Sequence, residues 1–203
     1  MPESDDFNGY MGDGGAMGFV VLGEGTGPWT EAPLGSGQVK WVGPGEIEIQ
    51  HGGGKDGFLF PKAPTTIGAA TCALTVRLVD VSSDLAVFGV SDGQTPVSFA
   101  ALFCHENGGN CEPLETFNMA GENVSIGGGG VHLGIVFHDK HAFGLFDAGS
   151  GWQVIQGTPS GGTDLTALAD VPLYPYFGQA GGDSTSHWDD FNVRPIPTSV
   201  SLP

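Results

Sequence analysis

Two glutamates near the start of the chain have the spacing that a glycosidase pair would need. Glu46-Ile-Glu-Ile-Gln50 alternates acidic and apolar residues, which predicts a strand with Glu46 and Glu48 on one face. Residues two apart on a strand lie about 7 Å from each other, and carboxyl groups roughly 5 to 9.5 Å apart can hydrolyse a glycosidic bond. A solvated strand face has the same pattern. Glu46 and Glu48 are therefore weak catalytic candidates, and no other residue is nominated.

Four further residues could ligate a metal ion. His138 and His141 flank the tip of a predicted hairpin, where two imidazoles can share one ion. Asp147 and Asp183 lie in Gly-rich loops whose carboxylate and carbonyl oxygens suit calcium. Neither loop has the spaced acidic pattern of a dedicated calcium loop, and ordinary turn chemistry explains such residues equally well. We expect no cofactor, or calcium.

Three tryptophans are candidates for stacking against a ligand, since indole rings form platforms for sugars. These are Trp29, Trp152 and Trp188. Tryptophans in a chain of this size also serve as packing residues, and Trp188 alternates with Asp190 in a way that could place it in the core.

Cys104 and Cys111 flank a segment with the strong turn signal Asn-Gly-Gly-Asn. The two thiols could meet across the mouth of a hairpin as a disulfide, or remain reduced. The third cysteine, Cys72, is predicted to be a small buried residue.

Short strands must position all of these residues. The clearest is the segment 73–81, where Leu74, Val76 and Leu78 alternate with Thr75 and Arg77. A hairpin is predicted from the segments 131–137 and 142–146, and the chain closes with strands around 173–178 and 188–193. The one helical candidate is 163–169. The fold class is all-β: a two-sheet antiparallel β sandwich, or jelly roll.

Composition limits the partners. Six Lys and Arg stand against 23 Asp and Glu, a formal net charge of −17. Such a surface repels nucleic acid and anionic membranes. The sequence contains no run of about 20 apolar residues and begins with acidic residues, unlike a secretory signal. We expect no nucleic-acid partner and no membrane insertion.

The 203 residues suit one domain with two extensions. Residues 1–35 are predicted to be a Gly-rich acidic arm, residues 36–194 the β-sandwich domain, and residues 195–203 an extended C-terminal tail.

The order of elements resembles the concanavalin A-like lectin/glucanase superfamily, which includes laminin-G modules. The resemblance rests on the strand pair 74–90 ending in Ser91-Asp-Gly93, on the hairpin 131–146 running into Trp152, and on the closing Tyr174-Pro-Tyr-Phe-Gly178 with Trp188-Asp-Asp-Phe-Asn-Val193. It implies a jelly-roll fold and either sugar binding, with calcium in the legume-type lectins, or glucanase or lyase activity. The glucanases carry Glu-x-Asp-x-x-Glu, which this chain matches only in part because His51 takes the third position.

We expect a non-enzymatic jelly-roll surface module. The retained Met1, the lack of a signal pattern and the acidic arm favour a virion surface protein, such as a phage capsid-decoration or adhesion protein, in a homo-oligomer or larger assembly. The alternatives are a carbohydrate-binding lectin-like module, cytoplasmic or extracellular, and a glycoside hydrolase or polysaccharide lyase.

Overall fold

The structure is a computed structural model that describes residues 29–31, 38–43, 45–50, 57–61, 65–66, 72–81, 85–91, 100–105, 110–113, 120–121, 124–125, 130–155, 157–158, 162–166, 172–180 and 185–202. These residues contain strands and turns but no α-helix, and hence no helix that is long and apolar enough to cross a membrane.

The strands, numbered β1 to β18 in chain order, form two large antiparallel sheets. Sheet I has the order β1 (Trp29–Glu31), β4 (Gly57–Pro61), β17 (Pro172–Ala180), β7 (Leu85–Ser91), β8 (Ala100–His105), β9 (Asn110–Pro113) and β11 (Val124–Ser125), with β5 (Thr65–Thr66) also paired to β17. Sheet II has the order β14 (Gln153–Val154), β13 (His141–Asp147), β12 (Val131–His138), β6 (Cys72–Val81), β18 (Thr185–Arg194), β3 (Glu46–Gln50) and β2 (Gln38–Gly43), with β16 (Thr163–Asp164) also paired to β13. A small ribbon joins β10 (Ala120–Gly121) and β15 (Gly157–Thr158).

The hydrophobic core lies between the two sheets, as the alternating sequence pattern predicts. Leu74, Val76 and Leu78 of β6 are at most 1% exposed, and Ile47 and Ile49 of β3 at most 2%. Burying a side chain of this size contributes about 1.5–3 kcal/mol. The predicted two-sheet antiparallel sandwich is therefore confirmed.

The two closing strands belong to different sheets and join them through aromatic side chains. Phe177 of β17 packs against Trp188 of β18, with ring centroids 5.2 Å apart, and against Phe191 at 6.3 Å. A register shift between Asp189 and Asn192 lets Trp188 and Phe191 both face the core, although a regular strand would place residues three apart on opposite faces.

The predicted hairpin is β12 and β13, and it has a two-residue turn. Asp139 and Lys140 both have positive φ, 46° and 63°, the pattern of a type I′ turn that matches the twist of paired strands. His138 and His141 are directly paired beside this turn.

The predicted helix at 163–169 is wrong at its start. Thr163 and Asp164 pair with the beginning of β13, and the Leu165 backbone N–H donates to the Lys140 carbonyl at 2.7 Å. The Asp164 carboxylate accepts from the Thr166 N–H, so it closes a local turn. Pairing with β13 and burial of Leu165, which is 4% exposed, outweigh a weak helical preference. Residues 167–169 lie outside the described residues.

The predicted extensions are partly integrated into the sandwich. Within the arm 1–35, Trp29–Glu31 form β1, which pairs with β4 at one side of sheet I; residues 1–28 lie outside the described residues. The C-terminal tail is not extended throughout, because the Val200 N–H donates to the Pro197 carbonyl at 3.0 Å and closes a turn.

Candidate functional site

Among the residues whose side chains the structure describes, several polar ones that reach solvent lie on the outer face of sheet II, the face turned away from the core; they include Arg77, His132 and Asp189. On sheet I, Val87 and Tyr176 point outward because they alternate with core residues. Both are nevertheless only 1% exposed, and burial raises the pKa of the Tyr176 phenol. On sheet II, Arg77 points outward and its side chain is 36% exposed. The outer face of sheet II is therefore the candidate site.

The C-terminal tail covers the apolar part of this face. Ile196, Val200 and Leu202 of the tail pack onto it. The residues beneath them are Ala73, Val136, Phe143 and Leu145, with Trp152 and Val154 at the margin. The tail thus buries an outward-facing apolar patch and confines the polar part to the other end of the strands.

Trp152 stands at the boundary between the two parts. The chain reaches it through the turn 147–151, in which the Asp147 Oδ1 accepts from the N–H groups of Gly149, at 2.8 Å, and Gly151, at 3.0 Å. The indole then lies over Gly134 of β12, where an added Cβ would come within 3.1 Å of the ring. The Arg194 guanidinium carbon lies 4.8 Å from the ring centroid, a cation–π contact that holds the indole in place.

A row of four polar side chains crosses the face beside Trp152. Asp147 of β13 is paired with His132 of β12, His132 with Arg77 of β6, and Arg77 with Asp189 of β18. We call these four residues the polar row. Directly opposed residues project to the same side of a sheet, so register alone assembles the row. His132 also contacts the indole of Trp152, with ring centroids 6.1 Å apart.

Burial and neighbouring charges shift the pKa values of two members of the row, His132 and Asp189. Burial lowers the pKa of His132, and Arg77 lowers it further, against opposing effects of Asp147 and Asp190. His132 is therefore mainly neutral at pH 7 and can both donate and accept a hydrogen bond. Burial and the neighbouring Asp190 raise the pKa of Asp189, and the 3.5 Å ion pair with Arg77 partly offsets this.

Glu46 and Glu48 lie on one face of β3, as predicted, but an imidazole lies between them. His187 of β18 places Nδ1 3.1 Å from a Glu46 oxygen and Nε2 3.1 Å from a Glu48 oxygen. In a glycosidase the bond to be cleaved occupies the space between the two carboxyl groups. Here the His187 imidazole occupies that space, and each of its ring nitrogens lies next to a carboxylate.

The metal candidates are engaged in local contacts. The His141 Nδ1 lies 2.8 Å from the Asp139 carbonyl, and the His138 Nε2 lies 3.5 Å from the Asp139 carboxylate. The Asp147 Oδ1 closes the turn described above. Asp183 lies outside the described residues. In the part of the chain that the structure describes, no three His, Cys, Asp or Glu side chains are grouped so that they could hold a metal ion.

The three candidate tryptophans differ in their surroundings. Trp188 is 0% exposed and donates from Nε1 to the Ser186 hydroxyl at 2.7 Å, so as a stacking platform it is a wrong prediction: a fully buried ring offers no face to a sugar. Trp152 is half-buried at the boundary of the polar row. Trp29 lies in β1, but its side chain is outside what the structure describes.

Cys104 and Cys111 are directly opposed on β8 and β9. Opposed residues of an antiparallel pair have Cα atoms about 4.5 or 5.5 Å apart, within the 4.4–6.8 Å that a disulfide spans. The disulfide stays a prediction. Cys72 is buried and is a free thiol, and burial raises its pKa.

Of the polar row and the indole beside it, the sequence nominates only Asp147, as a calcium ligand, and Trp152, as a stacking platform; it does not nominate His132, Arg77 or Asp189. The alternation along β6 places Arg77 on the side opposite Leu74 and Val76, but the sequence does not show the register that brings His132 and Asp189 beside it. A usable signal did exist. Arg77 and Arg194 are the only arginines in the chain, and both lie on the outer face of sheet II.

Comparisons with known proteins support the architecture. No protein-family model and no curated protein matches the sequence. Among solved structures, peanut lectin with a nine-residue peptide has a TM-score of 0.58 at 12% identity, covering 87% of this chain and 96% of that one. Lectin UEA-II complexed with galactose has a TM-score of 0.55 at 12% identity, covering 88% and 96%. The GH43 protein BlXynB from Bacillus licheniformis has a TM-score of 0.53 at 14% identity, covering 78% and 34%.

The fold is a concanavalin A-like jelly roll. Identities this low establish the fold and no activity. The lectins are matched over nearly their whole length, whereas the chain spans about a third of the GH43 protein.

Proposed function

We propose that this chain is a non-enzymatic jelly-roll module that binds a carbohydrate on the outer face of sheet II. The polar row is the observation that carries the proposal. Four adjacent strands present carboxylates, an imidazole and a guanidinium beside a tryptophan. Sugar hydroxyl groups both donate and accept hydrogen bonds, so they match a surface that offers both roles. An aromatic ring with a few convergent polar groups is the usual composition of a small-molecule site.

The similar structures supply a supporting analogy. The peanut and UEA-II lectins share the fold over most of both chains, and the UEA-II structure contains galactose. That ligand belongs to UEA-II. For this chain, the argument for sugar binding rests on the side chains of its own outer face.

The test is a glycan array probed with the purified protein, with calcium and with a chelator. We expect binding to at least one glycan, and His132→Ala should weaken it about tenfold by removing one hydrogen-bonding group. The matched control is Asp164→Asn, at the opposite end of β13. An array without hits in either condition would refute the proposal.

An enzymatic role is the alternative, because about a third of the GH43 protein shares the fold. The Glu46–Glu48 pair could act only if His187 left the space between the two carboxylates. We expect that Glu48→Gln leaves unchanged any turnover found on polysaccharide substrates. Loss of turnover in that variant, with binding retained, would favour a glycosidase.

Within the class of surface modules, we propose the narrower role of a virion surface protein, of the phage capsid-decoration or adhesion type, in a homo-oligomer or larger assembly. Support comes from the net charge of −17, which keeps a dense protein array soluble, and from the two-sheet jelly-roll architecture, which viral capsid domains also use. A sugar-binding face would suit a particle that adheres to glycans. If the protein is instead cytoplasmic or extracellular, we expect it to be a free module that belongs to no larger assembly.

A further inference from the structure

We infer that the carbohydrate is a linear chain of neutral sugars that lies across the strands of sheet II along the polar row. This inference rests on the proposed sugar binding and specifies the class of ligand for the same face. It comes from the length, the charge order and the boundary of the row.

The length of the row favours a chain over a single sugar. Its four residues occupy four adjacent strands, Asp147 on β13 at one end and Asp189 on β18 at the other. Neighbouring strands are about 4.8 Å apart, so the row spans about 14 Å. A monosaccharide would contact only part of that length. A linear oligosaccharide would contact every position in turn.

The order of charges favours neutral sugars. A carboxylate stands at each end, Asp147 and Asp189, while the neutral imidazole of His132 and the guanidinium of Arg77 lie between them. A sugar carboxylate or sulfate bound at Arg77 would lie near Asp189, whose oxygen is already 3.5 Å from the guanidinium and would repel it. The chain as a whole, at −17, would repel an acidic polysaccharide further.

One side of the row is closed. Trp152 is held between Gly134 and the Arg194 guanidinium, and beyond it the tail residues Ile196 and Val200 cover the apolar part of the face. A ligand running along the strands would collide with this wall. A ligand running across the strands would keep Trp152 at its flank, where the indole can contact the apolar side of a sugar ring.

The experiment measures affinity against ligand length. The probes are neutral gluco-, galacto- and xylo-oligosaccharides from monosaccharide to hexasaccharide, and oligogalacturonides of the same lengths as the acidic series. We expect binding to a neutral series, with an affinity at least about tenfold higher for the trisaccharide than for the monosaccharide and little further gain beyond the tetrasaccharide. Binding of the oligogalacturonides should be weaker at every length.

Arg77→Gln should weaken trisaccharide binding about tenfold. Arg77→Lys should bind more tightly than Arg77→Gln but less tightly than the unmodified protein, because an ammonium group lacks the planar fork of guanidinium. Asp164→Asn is the matched control, and thermal unfolding verifies that each variant is folded. Equal affinity at all lengths, preference for the acidic series, or unaltered binding by a folded Arg77→Gln protein would overturn the inference while leaving carbohydrate binding intact. The absence of binding to any probe or array glycan would instead refute the proposed function.

Discussion

At the scale of single residues, His187 and His132 occupy contrasting environments on the same face. His187 has a carboxylate within 3.1 Å of each ring nitrogen, so it ties β18 to β3. His132 lies among two arginines, two aspartates and an indole, and burial is the largest influence on its pKa. The first histidine acts as a structural link, and the second contributes a neutral ring to the polar row.

The lowered pKa of His132 predicts a pH dependence of stability. In the unfolded chain, His132 binds a proton below its ordinary pKa of 6.5. In the folded protein its pKa is lower, so the proton binds only at a lower pH. The contribution of neutral His132 to stability is therefore fully present above pH 6.5, and it is lost as the pH falls from 6.5 through the lower pKa of the folded protein. We expect the unfolding free energy to fall between pH 7.5 and 5.5 on this account. Urea denaturation at both pH values measures the change.

His132→Gln should flatten this dependence. NMR titration reports the group directly, and Arg77→Gln should move the His132 midpoint upward because one opposing positive charge is removed. A midpoint at or above 6.5 in the unmodified protein would contradict the prediction.

At the scale of elements, the outer face depends on one glycine within a strand. Gly134 sits in the middle of β12, where glycine ordinarily weakens a strand. An alanine Cβ would lie 3.1 Å from the Leu145 Cβ and 3.1 Å from the Trp152 ring. The missing side chain therefore makes room for the indole.

We expect Gly134→Ala to displace Trp152 and to destabilise the protein by about 1 kcal/mol, because the steric cost exceeds the gain in strand preference. Near-UV circular dichroism detects the altered indole environment, and urea denaturation gives the free energy. The comparison variant is Gly149→Ala, which has a φ of 97° but nothing within 4 Å of its added Cβ. It should cost stability through backbone strain while leaving the Trp152 signal unchanged. An unchanged signal in both variants would refute the packing argument.

The opposed cysteines of β8 and β9 predict a covalent link near the margin of sheet I. Oxidation of Cys104 and Cys111 by molecular oxygen or oxidised glutathione would transfer two electrons and two protons and close the short loop between them. We expect denatured, unreduced protein from an oxidising buffer to react with one equivalent of alkylating agent, at Cys72. Cys72→Ser should then give none, and Cys104→Ser should give two. Three reactive thiols in the unmodified protein would show that the link does not form.

At the scale of the whole molecule, the strongly acidic chain and the proposed sugar-binding face lead to a prediction about assembly. Native mass and sedimentation of the protein from its source should find a trimer or a particle-bound species if the virion role is correct. Raising the salt concentration should weaken any contact with a basic partner, because exposed charges are screened within about 8 Å at physiological ionic strength. A monomer without affinity for any larger assembly would contradict that role and leave the free sugar-binding module.

The sequence alone was sufficient for the architecture. Alternation along β3 and β6 identified inward-facing residues such as Ile47, Leu74 and Val76, because a side-chain period of two is a local property of the extended backbone. The same local rule predicted the β12–β13 hairpin. The antiparallel arrangement followed from hairpin spacing and scarce helix signals.

Tertiary structure decided the chemistry of the surface. The partners of Arg77 are far from it in sequence, Asp189 by 112 residues, and strand register alone brings them together. His187 occupies the gap between Glu46 and Glu48, 139 residues from the latter, and burial of Trp188 depends on β17 lying across from β18. Register and burial are set by the packing of the complete sandwich, so the pattern of any one segment predicts which face a residue occupies but not which residues meet there.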